Sequence, residues 1–282
     1  MSAPITLAGG DVRVTVLPHV GAKIASIEHL PSRRQWLLQP ARRWPGRPPY
    51  GSSFTSAPLW GWDEMAPTID ACGGLPDHGE VWALPWSAER LGDGRLRCTV
   101  RGRRLAFRLV RDIAVHDATV DLSYRLTADA PTPILWAAHP QFALKHDTRL
   151  VLPAALQRLI DVSDGEQVPA ERADALEQPL RTVARGSGGK LYADPGTAVG
   201  AARLQDRAGP WLALTWDPQQ LPYLGVWIDH CALAPRPVVA IEPSNGYYDS
   251  LERAVRLGRA AEVTPARPLR WSLRLELGTQ GG

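Results

Sequence analysis

Several residue types are scarce in this chain, and each scarcity excludes a class of protein. The 282 residues include only Cys72, Cys98 and Cys231, with no Cys-x-x-Cys spacing, so the sequence predicts neither a disulfide framework nor a cysteine-rich zinc site. There is no run of 18 apolar residues, and we therefore expect no transmembrane helix. The opening MSAPITLAGGDVRV lacks the basic and apolar segments of a secretory signal. Together with the isolated cysteines, this favours a cytoplasmic protein.

Excess positive charge is also lacking. Lys and Arg number 32 against 29 Asp and Glu, and only three of the 32 are lysines. A net charge of +3, with acidic residues interspersed among the basic ones, is too small to indicate a basic surface that binds nucleic acid. The chain has no phosphate loop, no Gly-x-Ser-x-Gly elbow, no His-Glu-x-x-His and no dinucleotide fingerprint, which excludes the enzyme classes that depend on them.

Turn residues and alternating strands are abundant. The 26 prolines and 25 glycines indicate many short elements joined by turns. Apolar and polar residues alternate in residues 11–18, 21–30, 104–115 and 118–128, the period of a strand with one buried face. Only residues 155–160 and 248–256 suggest short helices, the second capped by Asp249. The sequence therefore predicts one all-β domain over residues 1–282, built as a large antiparallel β-sandwich.

Residues 58–86, PLWGWDEMAPTIDACGGLPDHGEVWALPW, break the alternation. A long loop with this many functional groups commonly lines a site. Trp62 and Trp82 could stack on the apolar face of a sugar, while Asp63 and Asp77 accept its hydroxyl hydrogen bonds. His78 lies in the same loop. In the alternative interpretation, the tryptophans cap the core and the Asp-His-Gly is only a turn.

His139 and Glu242 each end an apolar strand directly before a proline. Proline holds the preceding residue extended, which fixes the direction of its side chain. Burial of Glu242 would raise its pKa toward the range of a general base. The competing interpretations are a satisfied strand histidine and a solvated glutamate at a strand end. His78, His139 and Glu242 could also ligate a metal, although their wide separation makes this a weak signal.

Taken in order, several segments resemble the aldose 1-epimerase (galactose mutarotase-like) family. They cover most of the chain and are GAKIASIEH, GWDEMAPTID, LPDHGEVWALPW, WAAHPQFAL, LPYLGVWID, IEPSNGYYDSL and LRWSLRLELG. The resemblance implies a supersandwich of antiparallel strands with a carbohydrate site on an open concave sheet. It also places Gln141 and Trp227 among the sugar-binding residues.

The resemblance implies that Glu242 is the general base, that His139 is the general acid and that His78 orients the sugar. Anomers interconvert when the ring oxygen gains a proton while the C1 hydroxyl loses one, which we expect to need an acid and a base on opposite sides of one sugar. No cofactor and no metal is implied. The hexose-6-phosphate branch carries an arginine soon after the first histidine. Here that stretch runs Glu80-Val81-Trp82, so a phosphorylated sugar is less expected.

Two other functions stay open at this stage. One is a carbohydrate-binding protein that keeps the fold without catalysis. The other is cleavage of a glycosidic bond, for which Glu242 would need a second carboxylate from among Asp63, Glu64, Asp77 and Glu80. In every case we expect a small sugar as the partner, no nucleic acid or membrane, and a monomer or homodimer.

Overall fold

The computed structural model describes residues 3–162, 168–172, 176–207 and 209–280, and strands dominate it. The first strands in chain order are β1 (Ile5–Ala8), β2 (Val12–Leu17), β3 (Lys23–His29), β4 (Arg34–Gln35), β5 (Trp62–Met65), β6 (Ser87–Gly92), β7 (Arg95–Arg101), β8 (Phe107–His116), β9 (Thr119–Ala128) and β10 (Thr132–Ile134). The others are β11 (Ala137–Ala143), β12 (Arg149–Val151), β13 (Arg158–Asp161), β14 (Val168–Arg172), β15 (Gly188–Ala193), β16 (Ala201–Gln205), β17 (Pro210–Trp216), β18 (Tyr223–Asp229), β19 (Val238–Ser244), β20 (Ala261–Val263) and β21 (Leu269–Thr279). Two short helices, α1 (Pro179–Thr182) and α2 (Leu251–Arg256), complete the regular structure of this part of the chain.

The strands form two large sheets. The first has the order β1-β2-β3-β5-β11-β19-β18-β15-β13-β14, with β4 beside β3. The second has the order β12-β16-β17-β21-β9-β8-β7-β6, and β10 pairs separately with β20. Neighbouring strands within each sheet run antiparallel. The antiparallel β-sandwich predicted from the alternating sequence is confirmed.

The core lies between the sheets because each sheet turns one side of its alternating strands inward. Along β9 and β21 every second side chain is buried, and the residues between them are exposed or half-buried. The buried members of this pair of strands include Val120, Leu122, Tyr124, Leu126, Trp271, Leu273, Leu275 and Leu277. They join apolar side chains of the first sheet in one continuous cluster.

The middle of the first sheet departs from this rule. All seven residues of β19 and the first six of β11 are buried, so both faces of these strands are covered. One face packs on the core. The other lies under loops that bring Phe54, Leu59 and Trp82 against Val238. A chemically active side chain on this outer face is therefore shielded from bulk water.

Two local predictions were wrong. Residues 155–160 were expected to be helical, but they lead into β13, which pairs with β14 and β15, so pairing with distant strands outweighs the local pattern. The helix predicted over residues 248–256 exists as α2, but its cap is Ser250 rather than Asp249. The Ser250 side chain accepts a hydrogen bond from the backbone N–H of Arg253 at 3.3 Å.

Candidate active site

A cavity of about 280 Å³ opens on the outer face of the first sheet, above β11, β18 and β19. Its walls combine apolar and ionisable side chains. The lining residues are Phe54, Thr55, Leu59, Ile69, Asp70, His78, His139, Val162, Lys190, Trp227, Leu233, Glu242, Tyr248 and Asp249. A cavity of this size, with a few converging polar groups in apolar walls, suits a small molecule.

His139 and Glu242 stand side by side on this wall. β11 pairs with β19, which brings the Nε2 of His139 to 3.7 Å from the Oε1 of Glu242. Both side chains are almost completely buried, and Oε1 of Glu242 has no hydrogen-bond partner among the described residues. The sequence led us to expect the acid and the base on opposite sides of a sugar, but the structure puts both on one wall.

Burial changes the ionisation of both groups. It raises the pKa of Glu242 above its ordinary 4.5, although the nearby ammonium of Lys190 acts against this rise. Burial also holds the pKa of His139 well below 6.5, helped by the positive charges of His78, Lys190 and Lys23. The two proton affinities therefore move toward each other.

Lys190 closes one side of this group. Its ammonium forms a very short ion pair with Oε2 of Glu242 and lies 3.6 Å from Oδ1 of Asp249. Burial disfavours the charged lysine, but Asp249 and Glu242 outweigh this and raise the pKa of Lys190 above its usual value. Asp249 is held in turn by the hydroxyl of Tyr192, which donates to Oδ1 at 2.5 Å.

His78 reaches the cavity from the covering loop. His78 and Gly79 form a left-handed turn, with φ angles of 57° and 72°. Glycine is the residue that adopts this conformation most readily, which explains Gly79. The ring stacks on Phe54 with centroids 3.9 Å apart and lies 5.4 Å from the ring of His139. Its Nδ1 is 2.7 Å from Oδ1 of Asp77, which fixes the orientation of the ring.

Asp77 and Trp82 support this loop rather than line the cavity. The second oxygen of Asp77 accepts a hydrogen bond from the backbone N–H of Phe54 at 2.7 Å. Burial disfavours the ionised form of Asp77, but its hydrogen bonds, led by that of His78, leave its pKa below the usual value. The indole N–H of Trp82 donates to the carbonyl of Asp77, and its ring packs against the edge of Phe54.

Three more of the predicted sugar-binding residues lie outside the cavity lining. Asp63 is directly opposite His139 in the sheet, but it is completely buried and paired with Lys23. Gln141 is also buried, with its amide 3.3 Å from the carbonyl oxygen of Trp60. Trp62 points to the other side of β5 and belongs to the core. Of the tryptophans predicted to bind sugar, Trp227 lines the cavity, with its ring 5.8 Å from that of His139.

Sequence reasoning missed Phe54, Asp70, Lys190, Tyr248 and Asp249 as lining residues. The sequence contained an indication of two of them, because Tyr248 and Asp249 lie in the same segment, IEPSNGYYDSL, as Glu242. Lys190 had another, because it is one of only three lysines. Asp70 also had one, because it ends the segment GWDEMAPTID within the loop of residues 58–86. Phe54 had none, since its position depends on how a loop folds back over the sheet.

Solved structures share this architecture over nearly the whole chain. A candidate aldose 1-epimerase from Escherichia coli K12 has a TM-score of 0.76 and 15% identity, over 98% of this chain and 99% of its own. A galactose mutarotase related enzyme from Lactobacillus acidophilus has a TM-score of 0.74 and 13% identity, over 98% of each chain. The chain has the galactose mutarotase-like fold. A galactose mutarotase-like protein from Clostridium acetobutylicum, with a TM-score of 0.72 and 13% identity, covers 98% of this chain and 95% of its own.

The similarity to known proteins is found in the structure and not in the sequence. No protein-family model matches the chain, and no curated protein matches it. In the part of the chain that the structure describes, no group of three or more His, Cys, Asp or Glu side chains could hold a metal ion. Within the same residues, no helix is long and apolar enough to cross a membrane.

Proposed function

We propose that the chain is an aldose 1-epimerase, which interconverts the α and β anomers of an aldose. The observation that carries this proposal is the pair His139 and Glu242, 3.7 Å apart on the wall of a sugar-sized cavity. The fold shared with mutarotase-like proteins supports it. The reaction needs one acid and one base and no other reagent, and this pair supplies both.

The spacing of the pair suits the chemistry. The C1 hydroxyl oxygen and the ring oxygen are bonded to the same carbon, so the base and the acid must stand close together. Glu242 takes the proton of the C1 hydroxyl through Oε1, and His139 gives a proton to the ring oxygen as the C1–O bond breaks and its electron pair stays on the ring oxygen. The C1–C2 bond then rotates, and closure on the other face returns both protons.

The active pair carries one proton in total. Because burial raises the proton affinity of Glu242 and lowers that of His139, it shifts the preference of this proton from His139 toward Glu242. Either arrangement contains one acid and one base. The site can therefore open the ring and close it again without exchanging protons with water.

The remaining lining suits an uncharged sugar. Trp227 offers an aromatic face beside His139, where the C–H groups of a pyranose could stack. Asp70 and Asp249 lie farther along the cavity and can accept hydroxyl hydrogen bonds. No arginine is among the described lining residues, and these carboxylates would repel a phosphate. A free aldose is therefore the proposed substrate class.

The direct test is anomer exchange, measured by saturation-transfer NMR across free and phosphorylated aldoses. We expect exchange of at least one free aldose, and a loss of about 10²- to 10⁴-fold in Glu242→Gln. Glu276→Gln is the matched control, because Glu276 is exposed on the outer face of the second sheet. Unchanged exchange in Glu242→Gln would refute the mechanism. Sugar binding without any rate enhancement in the unmodified protein would favour the non-catalytic carbohydrate-binding alternative.

The four carboxylates that the sequence offers as partners of Glu242 do not support glycosidic cleavage. Each carboxylate weighed as the partner of Glu242 is engaged elsewhere: Asp63 with Lys23, Glu64 with Arg111, Asp77 with His78, and Glu80 with Tyr50. None of the four lines the cavity in the described part of the chain. The pair of free carboxyl groups that flanks a scissile glycosidic bond is not assembled by these residues.

A further inference from the structure

Lys190 and Glu242 are not on neighbouring strands. β18 lies between β15, which carries Lys190, and β19, which carries Glu242. Lys190 is directly opposite Trp227, whereas Glu242 is directly opposite Gly225. To form its ion pair, the lysine side chain therefore runs diagonally over the middle strand.

Gly225 leaves the space for this crossing. A Cβ atom at this position would lie 3.2 Å from Oε2 of Glu242, 3.3 Å from Cε of Lys190 and 3.4 Å from the ring of Tyr192. The first two distances are shorter than ordinary van der Waals contacts. Gly225 is not among the glycines with a positive φ, so its backbone conformation does not require glycine. What the site requires of this residue is the missing side chain.

We propose that Gly225 and Lys190 form a positioning unit for Glu242. The gap at Gly225 admits the ammonium of Lys190 to Oε2, which favours the charged carboxylate and leaves Oε1 directed at His139 and the cavity. Neither residue is assigned a step of the reaction. This inference rests on the proposed function only in calling Glu242 the base, because the pairing itself is a property of the folded chain.

Other charged and titratable groups surround the pair of Lys190 and Glu242. From β15 comes Tyr192, from β11 comes His139, from the covering loop come His78 and Asp70, and from the residues before α2 comes Asp249. Lys190 acts most strongly to lower the pKa of Glu242, while burial and Asp249 raise it. Without Lys190, burial and Asp249 favour protonation against the smaller opposing effect of His78, so the carboxyl group would keep its proton to higher pH.

The test is a pH titration of the Glu242 carboxyl carbon by NMR, in protein labelled with ¹³C at the glutamate side chains. Glu242→Gln identifies the resonance. In Lys190→Met we expect the midpoint of the titration to rise by about 1 to 3 pH units, the usual effect of removing an opposite charge at contact distance. Lys190→Arg keeps the charge and should restore part of the difference.

Gly225→Ala tests the role of the gap at Gly225 without removing any charge. The added methyl group must push Lys190 or Glu242 aside, so the midpoint should move in the same direction by a smaller amount. Lys145→Met is the matched control, because Lys145 pairs with the buried carboxylate of Asp206 at 2.8 Å, away from the cavity lining. It should leave the Glu242 midpoint where it is. An unchanged midpoint in Lys190→Met or in Gly225→Ala would overturn the proposal.

The pH profile of kcat/KM gives the functional counterpart. If the protein is a mutarotase, the acid limb of the profile should move upward in Lys190→Met together with the NMR midpoint. A protein without mutarotase activity in which the midpoint still moves would refute the proposed function and leave the pairing intact. A mutarotase in which neither the limb nor the midpoint moves would refute the pairing alone.

Discussion

Arg111→Met removes the cation at the centre of a charged network between the two sheets. Arg111 donates to Oε1 of Glu64 at 2.6 Å and also to the carbonyl oxygen of Ala22. The same carboxylate accepts hydrogen bonds from Tyr124 at 3.0 Å and from Trp136 at 2.9 Å. Both charged side chains are completely buried. Methionine nearly fills the volume of the arginine stem, so the main change is an unpaired carboxylate in the core.

The expected loss is about 3 to 5 kcal/mol in the free energy of unfolding, because a buried charge without its partner cannot be rehydrated. The matched control is Arg97→Met on β7. Arg97 makes two hydrogen bonds of 2.7 Å to Asp112, but its side chain is 43% exposed. An exposed pair of this kind contributes at most about 1 kcal/mol. Urea-induced unfolding followed by tryptophan fluorescence would measure both variants.

A double variant separates charge from packing. Adding Glu64→Gln to Arg111→Met replaces the carboxylate with a neutral amide, which needs no counter-ion, so the double variant should be more stable than the sum of the two single losses predicts. A loss of stability in Arg111→Met no larger than that in Arg97→Met would contradict the expected cost of an unpaired buried charge. Losses of the two single variants that simply add in the double variant would contradict it as well.

Three further predictions concern the site and the helix beside it. The kcat/KM for anomer exchange should be highest at mildly acidic pH, and the midpoint of the alkaline limb of its pH profile should lie below pH 6.5. The reason is that burial lowers the pKa of His139 and the pair loses its shared proton as the pH rises. A midpoint of the alkaline limb above pH 6.5 would contradict this. Trp227→Ala should raise KM about 3- to 10-fold with a smaller effect on kcat, equivalent to about 0.5 to 1.5 kcal/mol of aromatic contact, whereas Trp211→Ala, outside the cavity lining, should leave KM unchanged. Ser250→Ala should lower the free energy of unfolding by about 1 kcal/mol through loss of the α2 cap, measured in urea beside the exposed Ser272→Ala as control.

Most of the fold could be predicted because alternation is a local signal. The hairpin of β8 and β9 is present as the sequence indicates, but it turns at Asp117 and Ala118, one residue later than expected, because His116 still pairs with Thr119 in a ladder that begins at Phe107. The failure at residues 155–160 has a different origin. This segment becomes a strand only because β15 comes alongside it, and a short apolar run carries no information about distant pairing.

The candidate site was harder to predict, because the sequence does not reveal which face of a strand is inside. In β5, Trp62 and Glu64 point into the core, while Asp63 points to the same side as His139. A shift of one residue would have turned Trp62 to the side of the sheet that carries the cavity. His139 and Glu242 could be predicted in spite of this ambiguity, because the prolines that follow them and the family resemblance indicate the same two positions.

The scarcity of lysine acquires a physical meaning in the folded chain. Each of the three lysines contacts a buried carboxylate: Lys23 pairs with Asp63, Lys145 with Asp206, and Lys190 with Glu242. A guanidinium is broad and planar, whereas an ammonium is a compact point charge on a flexible stem. At Gly225 the stem of Lys190 passes close to the sheet, since its Cε lies 3.3 Å from the position that a Cβ atom of residue 225 would take. In a chain that otherwise uses arginine as its cation, a lysine thus indicates where a carboxylate is buried, and one of the three carboxylates is the proposed base.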